Sequence, residues 1–444
     1  MKRRFLFGLV ALLLAANVFV GAAVYLYAAE AGQKDSAYPS LELFSVVMEK
    51  IRREHVDGGQ FTYQQLVRNA LKGMLSELDP HSEFMEPSGF EDLRNDTQGK
   101  FGGIGVVVSI KDDQLTVIAP MEDTPGFRAG IRTGDRITRI EGRSTDRMTV
   151  QEAVKVLRGD PGTEVRLTTF RPSTGQSQEH VLKREEIKVD MVKDSNGRRE
   201  FPLGANKIGY VRVTQFGEKT AEELQAALKK LKAQGMAGLV LDLRWNPGGL
   251  LDQAVAVSEQ FLPRGQLVVT TEGRTKSQTV TRKAAGSGDQ LNGAPIVVLV
   301  NAGSASAAEI VAGCLQDLKR AVILGERTFG KGSVQSIIEL GDGSALRLTT
   351  AKYYTPSHKV IHEQGITPDI EVLTTDDEEA AILVRRAPGG LEALDEKDRA
   401  RIEAVSDPQL DRALDVLKGI LLFAERWEDF SPLGAEKRVA AARP

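Results

Sequence analysis

The stretch PIVVLVNAGSASAAEIVAG, residues 295–313, decides the fold. Its apolar run ends at Asn301, the chain turns through Gly303, and a helical pattern of small and apolar residues follows. A strand, a tight turn and a helix in this order are typical of an α/β domain. Ser304 and Ser306 lie at the turn, so the first question is whether one of them caps the helix or performs chemistry.

Two interpretations of Ser306 are open from this stretch. Ser306 and Glu309 have the spacing of a capping box, in which the serine hydroxyl binds the first free N–H groups of the helix. However, a strand–turn–helix elbow also lifts a serine clear of a sheet, and the small neighbouring residues leave room for a substrate carbonyl. The free N–H groups at the start of the helix would then stabilise an oxyanion. The local pattern does not decide between them, and a catalytic base has to be sought elsewhere.

The segment GERTFGKGSVQ, residues 325–335, offers a candidate base. It begins like a phosphate-binding loop, but Gly332 stands where that loop requires Ser or Thr, and the residues that follow alternate like a strand. A nucleotide site is therefore not predicted. If a strand follows, Lys331, Ser333 and Gln335 lie on one face of it.

Lys331 could deprotonate a serine only in its neutral form. Lowering the lysine pKa from about 10.4 to about 7–8 requires roughly 4 kcal/mol from desolvation. Lys331 would therefore have to be enclosed, and Gln335 could orient it by hydrogen bonding. A solvated loop lysine is the alternative.

The segment DLRWNPGG, residues 242–249, joins a predicted strand to a predicted helix. Its glycines either only permit the turn or place a backbone N–H beside the nucleophile, because main chain approaches closely where Cβ is absent.

The segment FGGIGVVV, residues 101–108, puts glycines before a predicted strand. Backbone N–H groups in such a loop can hold the terminal carboxylate of a peptide while the strand edge pairs with it. Glycines before strands are common, so this motif is weak when taken alone.

Around these motifs the chain divides by pattern. The pattern predicts helices for residues 38–94. It predicts a small, mostly β domain with a helix near 150–157 for residues 101–171, and alternating strands and helices from residue 208. Thr220 and Glu223 have the spacing of a capping box. The tail beyond Asp376 opens with an acidic run, which predicts a solvated surface, and contains one amphipathic helix.

The N-terminus predicts export. Three basic residues at positions 2–4 precede residues 5–29, which carry no charge and are numerous enough to span a membrane. Residues 29–31 also fit the small-x-small pattern of a cleavage site, so anchor and signal peptide both stay open. Either one sends the remaining chain outward, since positive charges stay inside.

Composition excludes some classes of protein. With 444 residues, 41% of them hydrophobic, the chain can bury real cores, and a net charge of −3 leaves no basic field for nucleic acid. The single cysteine, Cys314, can form no internal disulfide. His358 and His362 have a zinc spacing beside Glu363, but no further ligand lies nearby in the sequence, and no metal site is predicted.

Together the motifs resemble the carboxyl-terminal processing peptidases, which are exported serine proteases with a PDZ domain and a Ser-Lys catalytic pair. The likeness runs from about residue 38 to about residue 422. Its motifs, in family order, are LDPHSEFM, FGGIGVVV, AGIRTGDRITRIEG, GYVRVTQF, LDLRWNPGG, NAGSASAAEI, GERTFGKGSVQ and GITPDI.

The resemblance implies a multidomain α/β protein. Its protease core would be Clp/crotonase-like, with an inserted, mostly β PDZ domain, an N-terminal helical region and a C-terminal helical tail. The implied divisions are residues 1–29 (signal peptide or membrane anchor), 36–95 (helical region), 96–172 (PDZ domain), 173–375 (serine protease core) and 376–444 (helical tail).

Carried over by motif, the resemblance also assigns roles. Ser306 would be the nucleophile, Lys331 the general base and Gln335 the residue that positions it. The oxyanion hole would be the N–H of Ala307 with one from Gly248 or Gly249, of which Gly249 is preferred. The carboxylate loop of the PDZ domain would comprise Gly103, Ile104, Gly105 and Val106.

The expected function is an exported, periplasmic or envelope-bound endopeptidase that binds C-terminal tails of exported proteins. No metal or cofactor is expected, and the N-terminal helices would pair two subunits. Two rivals remain: a catalytically silent PDZ scaffold, and a protein whose apolar terminus and helices organise an envelope complex. Trp245, Gly126 and His358 depart from the family's usual residues, and Trp245 is expected to affect substrate access.

Overall fold

The computed structural model describes residues 37–386, 391, 394 and 396–430, except 112, 122–123, 133 and 287. The predicted signal peptide or anchor at residues 5–29 lies outside the described residues. The chain forms two compact units, divided between Phe84 and Met85. Among the described residues, no helix is both long and apolar enough to cross a membrane.

The first unit is helical. Its helices are α1 (Ala37–Glu54) and α2 (Tyr63–Ser76), and the short strand β1 (Glu83–Met85) follows at the boundary. Thr62 and Gln65 form a capping box that begins α2, and Arg52 stacks on the ring of Tyr63 at 4.1 Å. No residue of α1 is buried.

The second unit begins with a small β domain. Its elements are α3 (Pro87–Gln98), β2 (Lys100–Gly103), β3 (Val106–Lys111), β4 (Gln114–Pro120), α4 (Pro125–Arg128), β5 (Arg136–Ile140), β6 (Arg143–Ser144), α5 (Val150–Leu157), β7 (Glu164–Arg171), β8 (Gln176–Lys183) and β9 (Glu185–Lys188). The main sheet has the order β3-β4-β5-β7-β8, and β2 pairs with β9. A separate apolar cluster fills this domain, and the helix predicted near residues 150–157 is confirmed as α5.

The larger domain follows. Its elements are β10 (Val192–Lys193), β11 (Ile208–Val213), α6 (Thr220–Ala233), β12 (Gly238–Asp242), α7 (Leu251–Glu259), β13 (Leu267–Gly273), β14 (Val280–Lys283), β15 (Ile296–Val300), α8 (Ala307–Asp317), β16 (Val322–Gly325), β17 (Ser333–Glu339), β18 (Ala345–Tyr354), β19 (Ile370–Glu371), α9 (Asp376–Arg386), α10 (Glu396–Ala404) and α11 (Pro408–Phe430).

The central sheet has the order β10-β11-β12-β15-β16-β19 and is parallel except for β10. Every residue of β12 and β15 is buried, because helices cover both faces. Helices α6, α7 and α8 contribute to the larger apolar cluster on one face of this sheet. Helix α11 packs on the other face, against alternate residues of β11, β12, β15 and β16. The carboxyl ends of β12 and β15 therefore meet at one edge of a buried sheet.

The predicted capping box of α6 is wrong. Thr220 is the first helical residue, and its hydroxyl donates to the carbonyl of Gln215. The carboxylate of Glu223 instead accepts the N–H groups of Met191 and Val192, at 2.8 and 3.1 Å. A tertiary partner therefore takes the carboxylate that the local pattern assigned to the helix end.

Candidate active site

The loops that follow β12 and β15 are bound to each other. Ser304 donates its hydroxyl to the carbonyl of Leu243 at 2.8 Å, and the N–H of Ala305 donates to the carbonyl of Asn246 at 2.9 Å. Because β12 and β15 are adjacent parallel strands, these bonds join the loop of residues 243–249 to the turn that precedes α8. We call residues 243–249 the oxyanion loop, because they include Gly249, the glycine expected to supply an oxyanion donor.

The two serines have different surroundings. Ser304 is fully buried, and its hydroxyl also accepts the N–H of Asn301 at 3.0 Å, so it holds the turn together. Ser306 retains 9% exposure and occupies the N-cap position of α8. Ser306 and Glu309 have the capping-box arrangement that the sequence predicted, with the N–H of Ser306 bound by the carboxylate of Glu309.

The backbone of Ser306 is strained. Its φ of 55° and ψ of −114° are sparsely populated by residues with a Cβ, and such conformations cost about 1–3 kcal/mol. Backbone outliers of this kind cluster at active sites, where the surrounding structure holds them in place. An ordinary helix cap needs only an extended backbone, so the strain is not explained by capping alone.

Glu309 connects Ser306 to Lys331. Its Oε2 accepts the N–H of Ser306 at 2.7 Å and the N–H of Lys331 at 2.9 Å. Its Oε1 accepts the hydroxyl of Thr328 at 2.5 Å and the N–H of Gly330 at 2.7 Å. One buried carboxylate thus fixes two backbone segments relative to each other. These are residues 301–306 before α8, which we call the serine elbow, and residues 326–332 before β17, which we call the lysine loop.

The carboxyl of Glu309 is fully buried, and burial raises its pKa above the usual range. The hydrogen bonds from Thr328, Gly330, Ser306 and Lys331 favour the ionised form and oppose that shift. The sequence predicted only the bond from the N–H of Ser306, as half of a capping box.

Lys331 and Gln335 flank the start of β17. Lys331 is half-buried in the loop before the strand, and Gln335 lies within it. The amide of Gln335 donates to the hydroxyls of Ser333, at 3.1 Å, and Thr349, at 2.9 Å. Ser333 and Gln335 therefore share a face, as the alternation predicted.

Tyr353 is a further residue beside the elbow. Burial raises the pKa of its phenol to about 12, while a hydrogen bond with the side chain of Ser306 acts in the opposite direction. Its backbone N–H donates to the carbonyl of Gly332 at 2.7 Å, which joins β18 to the lysine loop. The phenol is therefore neutral near pH 7, and it lies next to the hydroxyl of Ser306.

Gly248 lies directly against the elbow. A Cβ added there would sit 2.7 Å from Cβ of Ser306 and 3.0 Å from N of Ala307. The N–H of Gly248 donates to Oδ1 of Asn246 at 2.9 Å. Among the described residues, neither the N–H of Gly249 nor that of Ala307 has an acceptor.

Gly332 accounts for the failed phosphate-loop pattern. A Cβ at this position would lie 2.1 Å from the backbone N of His362, so Ser or Thr cannot occupy it without a shift of the main chain. The segment that follows is β17, not the helix that a phosphate loop opens.

The proposed carboxylate loop lies in the smaller domain. Gly103 ends β2, Val106 begins β3, and Ile104 and Gly105 connect the two strands. The N–H groups of Ile104 and Gly105 donate to no described residue. In the part of the chain that the structure describes, no group of three or more His, Cys, Asp and Glu side chains could hold a metal ion.

Sequence reasoning missed three contributors to the site: Thr328, Tyr353 and Asn246. Asn246 holds Gly248 with its carbonyl and donates Nδ2–H to the carbonyl of Val213 at 2.8 Å. Its place within the glycine motif was the signal that could have revealed it. Thr328 and Tyr353 carried no local signal, because their partners come from distant parts of the chain.

Comparisons with known proteins show which family this chain resembles. The family profile described as Peptidase family S41 matches residues 207–372, and the profile described as PDZ domain matches residues 116–171. The Carboxy-terminal-processing protease of Bartonella bacilliformis is 44% identical over 80% of this chain and 81% of that protein. The Carboxyl-terminal-processing protease of Synechocystis is 35% identical over 80% of this chain and 78% of that protein. A solved structure described as Photosystem II D1 C-terminal processing protease is 31% identical, covers 80% of this chain and 94% of that one, and has a TM-score of 0.44.

Proposed function

The chain belongs to peptidase family S41, and we propose that it is an exported serine endopeptidase that cleaves proteins captured by their C-terminal tails. Its relatives are named carboxy-terminal processing proteases, and a PDZ profile matches the smaller domain. The activity is therefore C-terminal processing by a serine protease. The Ser-Lys mechanism, the site residues and export are the finer parts of this proposal.

In the proposed mechanism Ser306 is the nucleophile and Lys331 transfers the protons in both stages. The hydroxyl of Ser306 attacks the carbonyl carbon of the scissile bond and gives its proton to the neutral amine of Lys331. Collapse of the tetrahedral intermediate breaks the C–N bond, and Lys331 returns the proton to the leaving amine. Water then hydrolyses the acyl ester with Lys331 again as the base, and Ser306 is regenerated.

The observation that carries this proposal is that Ser306 has a strained backbone and is also linked to Lys331 through Glu309. Its backbone is held in an unfavourable conformation, and the carboxylate of Glu309 that binds its N–H also binds the N–H of Lys331. Nucleophile and base must keep one geometry through acylation and deacylation. A shared buried carboxylate supports that requirement, and a simple helix cap does not need it.

The backbone supports Gly249 and Ala307 as the oxyanion donors. The N–H of Gly248 is engaged by Asn246, which leaves that of Gly249 as the glycine donor of the oxyanion loop. Ala307 follows Ser306 as the first residue of α8, where the helix dipole adds to its N–H.

Export and subunit pairing rest on the N-terminal part. Residues 2–29 have the charge and length of an export segment, which supports a periplasmic or envelope location. Helix α1 exposes apolar residues along its length, which supports pairing of two subunits through this region. These exposed residues are Tyr38, Leu41, Leu43, Val46, Val47 and Ile51.

The deciding experiment follows digestion of an unfolded protein with a free apolar C-terminus by intact-mass spectrometry. A form that lacks residues 1–32 is compared with the same form carrying Ser306→Ala. We expect cleavage by the parent only. Cleavage by both would make Ser306 a helix cap, and binding without cleavage by either would favour the PDZ scaffold.

Amidation of the substrate's C-terminus should weaken capture. The N–H groups of Ile104 and Gly105 would lose a charged acceptor, and charge-assisted hydrogen bonds contribute about 1.5–3 kcal/mol. We expect the cleavage rate at low substrate concentration to fall by about tenfold or more. Equal rates for paired acid and amide peptides of the same sequence would contradict tail capture.

A further inference from the structure

The indole of Trp245 is held by the C-terminal tail. Its Nε1–H donates to the carboxylate of Glu379 on α9. The guanidinium of Arg386, at the end of α9, lies 5.2 Å from the indole ring, and that of Arg244 lies 5.4 Å from it. The sequence predicted that the acidic run at the start of the tail is a solvated surface. This prediction is wrong for Glu379, because its carboxylate accepts a hydrogen bond from the indole of Trp245.

The backbone of Trp245 is in an unfavourable conformation. Its φ of 56° is left-handed, which is rare for a bulky aromatic residue. Its N–H donates to Oδ1 of Asn301 at 2.9 Å, at the end of β15. The next residue, Asn246, holds Gly248, so a change at Trp245 would be transmitted directly to the glycines of the oxyanion loop.

The arginines on either side of the indole are themselves fixed. Arg244 binds Asp242 at 2.7 Å and Asp407 at 2.8 Å, and both ends of the Asp242 pair are fully buried. Arg386 binds Asp242 at 2.6 Å and Asp407 at 3.3 Å. Two arginines and two aspartates compensate one another, and they join the end of β12 to α9 and to the start of α11.

We propose that Glu379 and Arg386 of α9 form a tail clamp on Trp245, which positions the oxyanion loop for catalysis. Glu379 is a positioning residue, since it acts through Trp245 and Asn246 on the backbone that carries Gly249. This inference rests on the proposed function of that loop. It makes the C-terminal tail part of the catalytic apparatus rather than a solvated appendage.

The structure gives the reason for the clamp. A left-handed aromatic residue relaxes to an ordinary backbone conformation unless outside contacts prevent it. The hydrogen bond to Glu379 and the two guanidinium contacts supply those contacts from a different part of the chain. Loss of the bond would let the loop relax, and small displacements of a catalytic donor lower rates strongly.

The test uses the full chain with three substitutions in α9. Glu379→Ala removes the acceptor, Glu379→Gln keeps an acceptor oxygen without charge, and Asp377→Ala is a matched control on an exposed residue of the same helix. We expect Glu379→Ala to lower kcat by about tenfold or more while KM changes less than about twofold. Glu379→Gln should restore most of kcat, and Asp377→Ala should match the parent.

Fluorescence gives a readout that is independent of activity. The chain has two tryptophans, so Trp427→Phe leaves Trp245 as the single emitter. In that background Glu379→Ala should shift the emission of Trp245, and Asp377→Ala should not. Trp245→Phe, which keeps a ring but removes the donor, should lower kcat non-additively with Glu379→Ala.

The outcomes are separable. An unchanged kcat for Glu379→Ala would overturn the clamp, as would Glu379→Gln no better than Glu379→Ala, or additive effects with Trp245→Phe. If Glu379→Ala fails to fold, the loss of kcat in Glu379→Gln is compared with the loss of kcat in Trp245→Phe. Equal losses contradict the clamp, and a smaller loss in Glu379→Gln supports it. If Ser306→Ala still cleaves, the proposed function fails, and the emission shift of Trp245 still tests the contact with Glu379.

Discussion

Replacing Lys331 with arginine is expected to abolish peptide-bond cleavage while leaving tail capture intact. A guanidinium cannot lose its proton in a protein, so it cannot take the proton of Ser306 at any accessible pH. General acid–base catalysis contributes about 10²–10⁴-fold to such reactions, and we expect a loss at the upper end of that range because one group serves both steps.

The backbone of the lysine loop should survive this change. The N–H of residue 331 still donates to Glu309, and Gly330 and Gly332 still permit the close approach of the main chain to residues 361–365. Lys352→Arg, on the exposed face of β18 opposite Ser333, is the matched control and should leave the rate unchanged. The measurement is initial cleavage rate beside binding of an uncleaved tail peptide. A rate near that of the parent would remove Lys331 as the base.

Much of the fold could be predicted because the hydrophobic periodicity is strong. Buried runs such as residues 238–242 and 296–300 lie where the pattern predicted strands, since both faces of a parallel sheet are covered. The predicted family and the predicted architecture of helical ends, PDZ domain and α/β core are confirmed. The change in the period of the hydrophobic pattern, together with the turn residues between segments, indicates where one domain ends and the next begins.

The parts that could not be predicted depend on partners distant in sequence. Whether Ser306 is a cap or something more could not be judged from its own stretch, because its φ and the second role of Glu309 depend on residues near 330. Likewise the carboxylate of Glu223 binds the N–H of Met191 instead of its own helix end, and that of Glu379 binds the indole N–H of Trp245 instead of being fully solvated. For Glu223 and Glu379 a tertiary contact replaced what the local pattern favoured, and for Glu309 tertiary contacts were added to the bond with the N–H of Ser306.

Removing the carboxylate of Glu309 should have the second largest effect. Glu309→Ala would leave the hydroxyl of Thr328 and three backbone N–H groups without an acceptor in the core. Each of these four unsatisfied buried donors costs about 1–3 kcal/mol, so we expect the free energy of unfolding to fall by roughly 4 kcal/mol or more and kcat by about a hundredfold or more. Glu309→Gln should be intermediate, because one amide oxygen can still accept two of the four donors.

The pH dependence of this site has opposite signs for stability and for activity. Burial raises the pKa of Glu309, so between the usual carboxyl range and that raised value the native protein binds more protons than the unfolded chain. The contribution of Glu309 to the free energy of unfolding therefore falls as pH rises through this window. Activity should rise over the same window, since only the carboxylate can accept all four donors.

Chemical denaturation and initial rates, measured across that window for the parent and Glu309→Gln, separate the two effects. The free energy of unfolding of the parent, relative to Glu309→Gln, should decrease with pH while the ratio of their kcat values increases. The amide does not titrate, so it serves as the reference for every other ionising group. A constant kcat ratio would mean that the shared carboxylate holds the backbone of Ser306 and Lys331 equally well when protonated. Catalysis would then depend on the position of Glu309 and not on its charge.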